Sequence, residues 1–343
     1  MTERARAISE FLAAAGWADA ERRLLAADAS FRRYERLWRD GASRVLMIAP
    51  PPQENVRAFD QIARSLIDLG LSAPRAFEVD EAAGLMLIED FGDRTFTRAL
   101  AEDADEADLY RLAIDVLIAL HQRWRPQPSP GGPEAAPPPY DDARLLEEAL
   151  LLPDWFLPAR RGAPTPEPVR AAYLEAWRVA LARARAVPDC LVLRDYHVDN
   201  LMLLEGREEV AACGLLDFQD AVIGPVAYDV VSLLEDARRD IGTGVAAEML
   251  ARYLDAFPEL DRPRFMESYA VLGAQRAAKI VGIFTRLSRR DEKDQYLHHI
   301  PRVWRYLTAG LDHPTLAPVK AWFDREVPAT ERRSPPARAE TSA

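Results

Sequence analysis

The chain has 343 residues, 49% of them apolar and 29% charged, so it can bury a sizeable core and is not a disordered or fibrous polypeptide. Its 44 basic residues are outnumbered by 55 acidic ones, and the net charge of −11 argues against non-specific attachment to nucleic acid or to anionic membranes. The N-terminus MTERARAISEF lacks the apolar run of a signal peptide, no stretch of about 18 apolar residues is present, and Cys190 and Cys213 lie in strand-like surroundings; a soluble cytoplasmic protein with buried, reduced thiols is expected.

The spacing of Ile8, Leu12 and Ala15 predicts an opening helix over 3–15, which Gly16 stops. From Leu24 to Pro50, apolar runs split by Asp28-Ala29-Ser30 and by Asp40-Gly41 predict three antiparallel strands. Pro50, Pro51 and Pro52 break the sheet, and Phe59, Ile62, Leu66 and Leu69 mark one face of a helix over about 55–69. APRAFEVDEAAGLMLIEDFGD then reads as strand, turn and strand.

After Thr95 the pattern is helical except for a few short strands. A helix over 109–124 carries Leu112, Ile114, Val116, Leu117 and Leu120, with His121 as a packing or capping residue. Residues 126–139 form a Pro/Gly-rich loop, and helices are predicted at 140–151, 166–186, 227–239, 243–256, 263–288 and 301–310. The domain reading is an N-terminal lobe over 1–92, a C-terminal lobe over 93–325 and a disordered polar tail over 326–343. No internal repeat is visible, and no obligate protein partner is evident.

The chemistry concentrates in LVLRDYHVDNLMLLEGREEVAACGLLDFQD, residues 191–220. Phosphoryl transfer from ATP needs a carboxylate that takes or orients the acceptor's hydroxyl proton, and oxygen ligands that hold Mg²⁺ on the phosphates. An Arg-Asp pair followed by Asn five residues after the Asp, then a strand ending in Asp-Phe, supplies that set in kinases, and Asp195, Asn200 and Asp217 stand at those positions. Asp and Asn also cap ordinary turns. The apolar strand before Asp217, and the Gly-Pro turn and Asp229 that follow, favour the catalytic reading.

This stretch resembles the aminoglycoside and choline phosphotransferase branch of the protein-kinase-like enzymes, whose loop reads H-x-D-x-H-x-x-N. Leu193 and Arg194 stand where that branch often has His-Gly, while Asp195, His197 and Asn200 fit. DASFRRYERL, VLMIAPPPQEN, LLPDWFL and QRAAKIVGIFTRLSRRDEKDQYLHHIPRVWRYL further resemble the anomeric sugar kinases of bacterial peptidoglycan recycling, over about residues 24–310. The resemblance implies an α+β, two-lobed protein-kinase-like fold with a small antiparallel-sheet lobe and a mainly helical lobe. It also implies ATP and Mg²⁺ as cofactors and a small amino sugar, N-acetylmuramate or N-acetylglucosamine, as acceptor at its C1 hydroxyl.

On that resemblance Asp195 is the base, and Asn200 and Asp217 are the metal ligands. Asp229 corresponds to a helix carboxylate that hydrogen-bonds the catalytic-loop backbone, and His197 orders the loop. Arg194 either supports the γ-phosphate or pairs with a carboxylate. The run Glu89-Asp90-Phe91 sits where kinases place the hinge that meets adenine, so Glu89 and Phe91 are nucleotide candidates.

The strand lysine of protein kinases is replaced by Met47, and strand alternation turns Arg44 to the opposite face. Ser30, Arg32 and Arg33 are therefore the phosphate candidates; a solvated strand face is the competing reading for the two arginines. For the sugar, Trp155 offers an aromatic face, and Arg276 and Lys279 offer cations for a carboxylate. Core packing for Trp155 and a surface ion pair for Arg276 stay open, and Asp220 is either a supporting residue or a sugar contact. An aminoglycoside or choline-type kinase and a nucleotide-binding pseudokinase are the alternative functions.

Overall fold

The computed structural model describes residues 2–27, 32–126 and 136–336. Ser30 with its expected phosphate turn, most of the Pro/Gly-rich loop and the last residues of the tail lie outside the described residues. The chain divides into two compact units, Met1–Ala136 with Val198–Ala221, and Pro137–His197 with Val222–Ala343.

In the first unit, α1 (Glu3–Ala14) is capped by Thr2, whose side chain accepts the Ala5 N–H, and it buries Ile8 and Leu12. Strands β1 (Glu21–Ala27), β2 (Arg33–Arg39) and β3 (Ala42–Ile48) follow. Asp40 and Gly41 both have positive φ, 49° and 77°, the two-residue hairpin geometry that matches the twist of the strands they join. Helix α2 (Val56–Asp68) starts at Asn55, whose side chain accepts the N–H groups of Arg57 and Ala58.

With β4 (Ala76–Asp80) and β5 (Leu85–Ile88) the sheet is antiparallel, in the order β1-β2-β3-β5-β4. Leu37, Leu46, Ile48, Leu85 and Leu87 form one apolar core with Ile8 and Leu12. Each such fully buried side chain contributes about 1.5–3 kcal/mol, so α1 is held by its apolar stripe rather than by propensity. Arg44 lies 3.9 Å from the centroid of Phe77 and 5.8 Å from that of Trp17, a cation–π contact on the α1 side, as the strand alternation requires.

Helices α3 (Phe96–Ala101) and α4 (Glu106–Arg123) complete this stretch. The lobe boundary expected after Gly92 is not where the contacts divide. Residues beyond it are tied to the first unit, since Leu203 N–H donates to the Arg94 carbonyl at 2.8 Å and Thr95 bridges Met202.

The second unit begins with α5 (Asp142–Ala149), a π-turn over Leu152–Phe156, α6 (Leu157–Arg161), α7 (Glu167–Ala184) and β6 (Asp189–Val192). The chain then re-enters the first unit for the hairpin β7 (Leu201–Leu203) and β8 (Cys213–Leu215). It returns with β9 (Val222–Pro225), antiparallel to β6, and with α8 (Ala227–Leu234), α9 (Thr243–Asp255), α10 (Arg262–Asp291), α11 (Ile300–Gly310) and α12 (Ala317–Glu326).

Gly282 lets the α10 backbone approach the residues before the π-turn, where a Cβ would stand 2.3 Å from the Leu151 carbonyl carbon. The disorder expected from Glu326 onward does not hold for 327–336. Val327 is fully buried, and Ser334 Oγ donates to the Leu297 carbonyl at 2.7 Å. Cys190 and Cys213 are both buried, and neither is in a disulfide. No helix among the described residues is long and apolar enough to cross a membrane.

Candidate active site

In the second unit, the loop after β6 carries Asp195 through a tight turn. Arg194 has φ 69°, and Asp195 N–H donates to the Leu193 carbonyl at 2.9 Å. A large side chain in this left-handed region costs about 1–2 kcal/mol, so the turn needs outside support. Helix α8 gives it: Asp229 accepts the Leu193 N–H at 2.6 Å and the Arg194 N–H at 2.9 Å, and Ser232 Oγ donates to the Arg194 carbonyl at 3.1 Å. Positions 229 and 232 share a helical face, so one helix grips the loop twice. Burial pushes the Asp229 carboxyl up to about 7 although the two N–H groups pull it down.

Protein atoms crowd Asp195, yet the residue is exposed to solvent, which blunts the burial penalty that would raise its pKa. The fields of Lys279, His197, Arg194 and Arg276 prevail and hold its carboxyl below the usual range. His197 is buried, with Nε2 3.3 Å from Arg238 Nη1.

Arg194 and Lys279 meet at one carboxylate, Glu148 of α5, at 2.5 and 2.9 Å, and the Tyr140 hydroxyl donates to the same group. Burial opposes ionisation of Glu148, but Lys279 and Arg194 outweigh it and hold the carboxyl below its ordinary value. Arg276 donates to the Glu235 carbonyl at 3.2 Å. Trp155 is half-buried in the π-turn. The two sugar-binding cations expected on α10 are thus both engaged inside the unit.

In the first unit, Asn200 ends a short 3₁₀ turn, Val198–Asn200, and its carbonyl accepts the Leu216 N–H at 3.0 Å. That bond, continuing the β7–β8 ladder, brings Asn200 beside Leu216-Asp217, where Asp217 has φ 57°. An amide oxygen and a carboxylate are the hard donors that Mg²⁺ takes, with phosphate oxygens and water completing its shell. Among the described residues no group of three or more His, Cys, Asp or Glu side chains offers a metal site.

Asp217 accepts from Arg32 Nη2 at 3.0 Å and from Gln219 Nε2 at 2.9 Å; Gln219 also reaches the exposed Asp220 at 3.2 Å. Arg32 is buried and also pairs with Glu54 at 3.6 Å. Arg33, one residue on, is directed instead to Glu35 at 2.7 Å, and its side chain is 56% exposed. Of the two arginines, the structure brings only Arg32 to Asp217.

Glu89 and Phe91 sit on an ordered turn. Arg207 reaches Glu89 at 2.5 Å and Ser72 Oγ at 2.8 Å, with its guanidinium 5.2 Å from the Phe91 ring. Phe91 packs on Gly214, where a Cβ would lie 2.7 Å from the ring. Arg36 clamps the same turn through Asp90 and Asp93, both at 2.8 Å, and the Gly92 carbonyl.

Glu54, Glu148, Ser232 and Gln219 escaped the sequence reading. Glu148 carried a signal: it lies three residues after Leu145 and one before Ala149, on the apolar stripe of α5. A charged residue there is either mispaired or a deliberate counter-ion.

A family model described as the phosphotransferase enzyme family, APH, matches residues 21–266. An N-acetylmuramate/N-acetylglucosamine kinase of Caulobacter vibrioides is 38% identical, over 97% of this chain and 99% of its own. A protein of the same name from Pseudomonas aeruginosa is 36% identical, over 90% of each. Among solved structures, a choline/ethanolamine kinase family protein from Mesorhizobium loti superposes with a TM-score of 0.60 at 16% identity, covering 93% of this chain and 99% of that one. That last likeness shows a shared fold: the five-stranded antiparallel sheet and the mainly helical remainder are those of the kinase-like fold.

Proposed function

The chain belongs to the phosphotransferase enzyme family, and from that premise we propose that it moves the γ-phosphoryl group of ATP onto the C1 hydroxyl of N-acetylmuramate and N-acetylglucosamine. The observation that carries the acceptor is the near end-to-end likeness, 97% of this chain against 99% of the Caulobacter protein, to a kinase named for those two sugars. The family alone implies a kinase that uses ATP; fold likeness to choline kinases at 16% identity does not choose an acceptor.

In this reading Asp195 orients the C1 hydroxyl and takes its proton as the sugar oxygen attacks the γ-phosphorus and the bond to the β-phosphate oxygen breaks, releasing ADP. A carboxylate kept ionised by Lys279, His197, Arg194 and Arg276 is ready to accept that proton at neutral pH. Asn200 and Asp217 would hold Mg²⁺, which would supply positive charge to offset the negative charge developing on the phosphates. Arg32 takes the phosphate-facing place that Met47 cannot fill, and the backbone of Glu89–Phe91 meets the adenine. His197 and Asp229 keep the catalytic loop in shape.

The test is ADP release from purified protein with ATP and Mg²⁺ against N-acetylmuramate, N-acetylglucosamine, glucose, choline and kanamycin, with the product read by ³¹P NMR. An acid-labile C1 phosphate on the two N-acetylated sugars is expected. Turnover of only choline or kanamycin would overturn the acceptor assignment.

A further inference from the structure

Glu148 lies outside every motif of the chain, yet it is the shared partner of two cations whose fields act on Asp195. Arg194 Nη2 and Lys279 Nζ reach the same oxygen, Oε1, at 2.5 and 2.9 Å, and the Tyr140 hydroxyl donates to the other. The Glu148 and Lys279 side chains are only 12% and 10% exposed, so their attraction is weakly screened. A buried pair costs more to desolvate than a surface pair, and a bare apolar contact would serve stability as well. A charge kept at that cost beside a catalytic carboxylate calls for a task other than stability.

Among the groups that act on Asp195 are Arg194 and His197 from its own loop, Lys279 and Arg276 from α10, and Asp229 from α8. Glu148 from α5 cancels part of the positive charge and fixes where the rest sits. Tyr228 Oη, 3.5 Å from Lys279 Nζ, closes the cluster. Arg194, moreover, is the residue in the left-handed turn, so its guanidinium is anchored at Glu148 while its backbone is anchored at Asp229.

We propose that Glu148 is a positioning residue for phosphoryl transfer, tying Arg194 and Lys279 into one oriented cationic pair beside Asp195. It acts through those two side chains and does not touch the reacting atoms. The inference rests on the kinase reading above, but it does not depend on which acceptor is used.

The sign of its effect follows from charge. Glu148→Gln keeps the shape and removes the negative charge that both cations share, so Asp195 becomes a weaker base that stays ionised to lower pH. Lys279→Met removes a cation and must move Asp195 the other way. Measured on the acceptor that the wild-type enzyme turns over best, kcat of Glu148→Gln is expected to fall about tenfold with KM for ATP and acceptor within about twofold. Its acid limb in the kcat–pH profile moves about one pH unit down, and that of Lys279→Met moves up. Glu148→Asp restores part of the rate.

Acid limbs that coincide with wild type in both variants, or that shift in the same direction, would overturn the proposal. So would a rate loss in Glu148→Gln that tracks only the folded fraction in a melting curve. If Glu148→Gln does not fold, the upward shift in Lys279→Met carries the decision alone. Failure of the kinase reading looks different, because the wild-type enzyme itself would then turn over none of the sugars.

Discussion

Asp229 holds Arg194 in a backbone conformation that an arginine avoids: the carboxylate accepts the Arg194 N–H at 2.9 Å and the neighbouring Leu193 N–H at 2.6 Å, while Arg194 keeps φ at 69°. Both oxygens are used, one on each N–H. Asp229→Asn presents one oxygen and one NH₂, so one buried backbone N–H faces a donor. An unsatisfied buried donor costs about 1–3 kcal/mol, and the catalytic turn loses one of the three hydrogen bonds that α8 makes to it. Urea unfolding should show a destabilisation of that order, and kcat should fall about 10–100-fold, because a displaced base loses alignment before the fold is lost. Unchanged kcat in a destabilised variant would separate this helix contact from catalysis.

The same carboxyl makes a pH-dependent difference. An ordinary aspartate carboxyl titrates near 3.8, and burial pushes that of Asp229 up to about 7 in the folded protein. Between those values the folded state binds a proton that the unfolded state has released, so the contribution of this group to stability falls as pH rises from about 4 to about 7. His299 and His121, pushed down to about 4 and about 3 chiefly by burial, work in the opposite direction over part of that range. A wild-type curve alone would mix these effects. The informative quantity is the stability of wild type minus that of Asp229→Asn, which should be larger at pH 5 than at pH 8; a flat difference would show that Asp229 stays ionised.

Much of the catalytic layout was legible because it is local. Asn200 and Asp217 flank the two short paired strands β7 and β8, so chain order alone predicts that these two residues meet. Glu148 is different: Glu147 and Glu148 look alike in DARLLEEAL, and only the helix phase says which one turns inward. Lys279 was legible as a cation on α10 but not as the partner of Glu148, since that pairing spans 131 positions. The π-turn Leu152–Phe156 lies just past the helix expected over 140–151, and Pro153 is tolerated there because its ring needs no N–H at the start of a turn. Val327 shows the limit of composition, for a polar tail can still bury one valine.

Arg32 offers a test with two opposite signs. Its guanidinium is buried against Asp217 at 3.0 Å and Glu54 at 3.6 Å, so it stands where a cation on the metal ligand and a cation for phosphate would compete. Arg32→Met should raise the KM for ATP about tenfold, the cost of one lost charge-assisted contact to phosphate. It should also tighten binding of a divalent cation in the absence of nucleotide, since Asp217 loses a positive neighbour. Mn²⁺ titration followed by electron paramagnetic resonance reads the second effect independently of turnover. Weaker Mn²⁺ binding together with normal ATP binding would remove Arg32 from the phosphate role.

Asp195→Asn separates proton acceptance from binding. The amide has nearly the shape of the carboxylate but cannot take a proton, and general-base assistance is worth about 10²–10⁴ in rate, so kcat should fall by about 10³. Nucleotide affinity has the opposite expectation. Removing a negative charge from among Lys279, His197, Arg194 and Arg276 leaves the surroundings more positive, which suits a polyphosphate. Calorimetric titration with ATP should therefore give an unchanged or slightly lower Kd, by up to about threefold. Near-normal turnover would move the base to another residue, whereas loss of turnover together with loss of ATP binding would mean that Asp195 shapes the site rather than serving as its base.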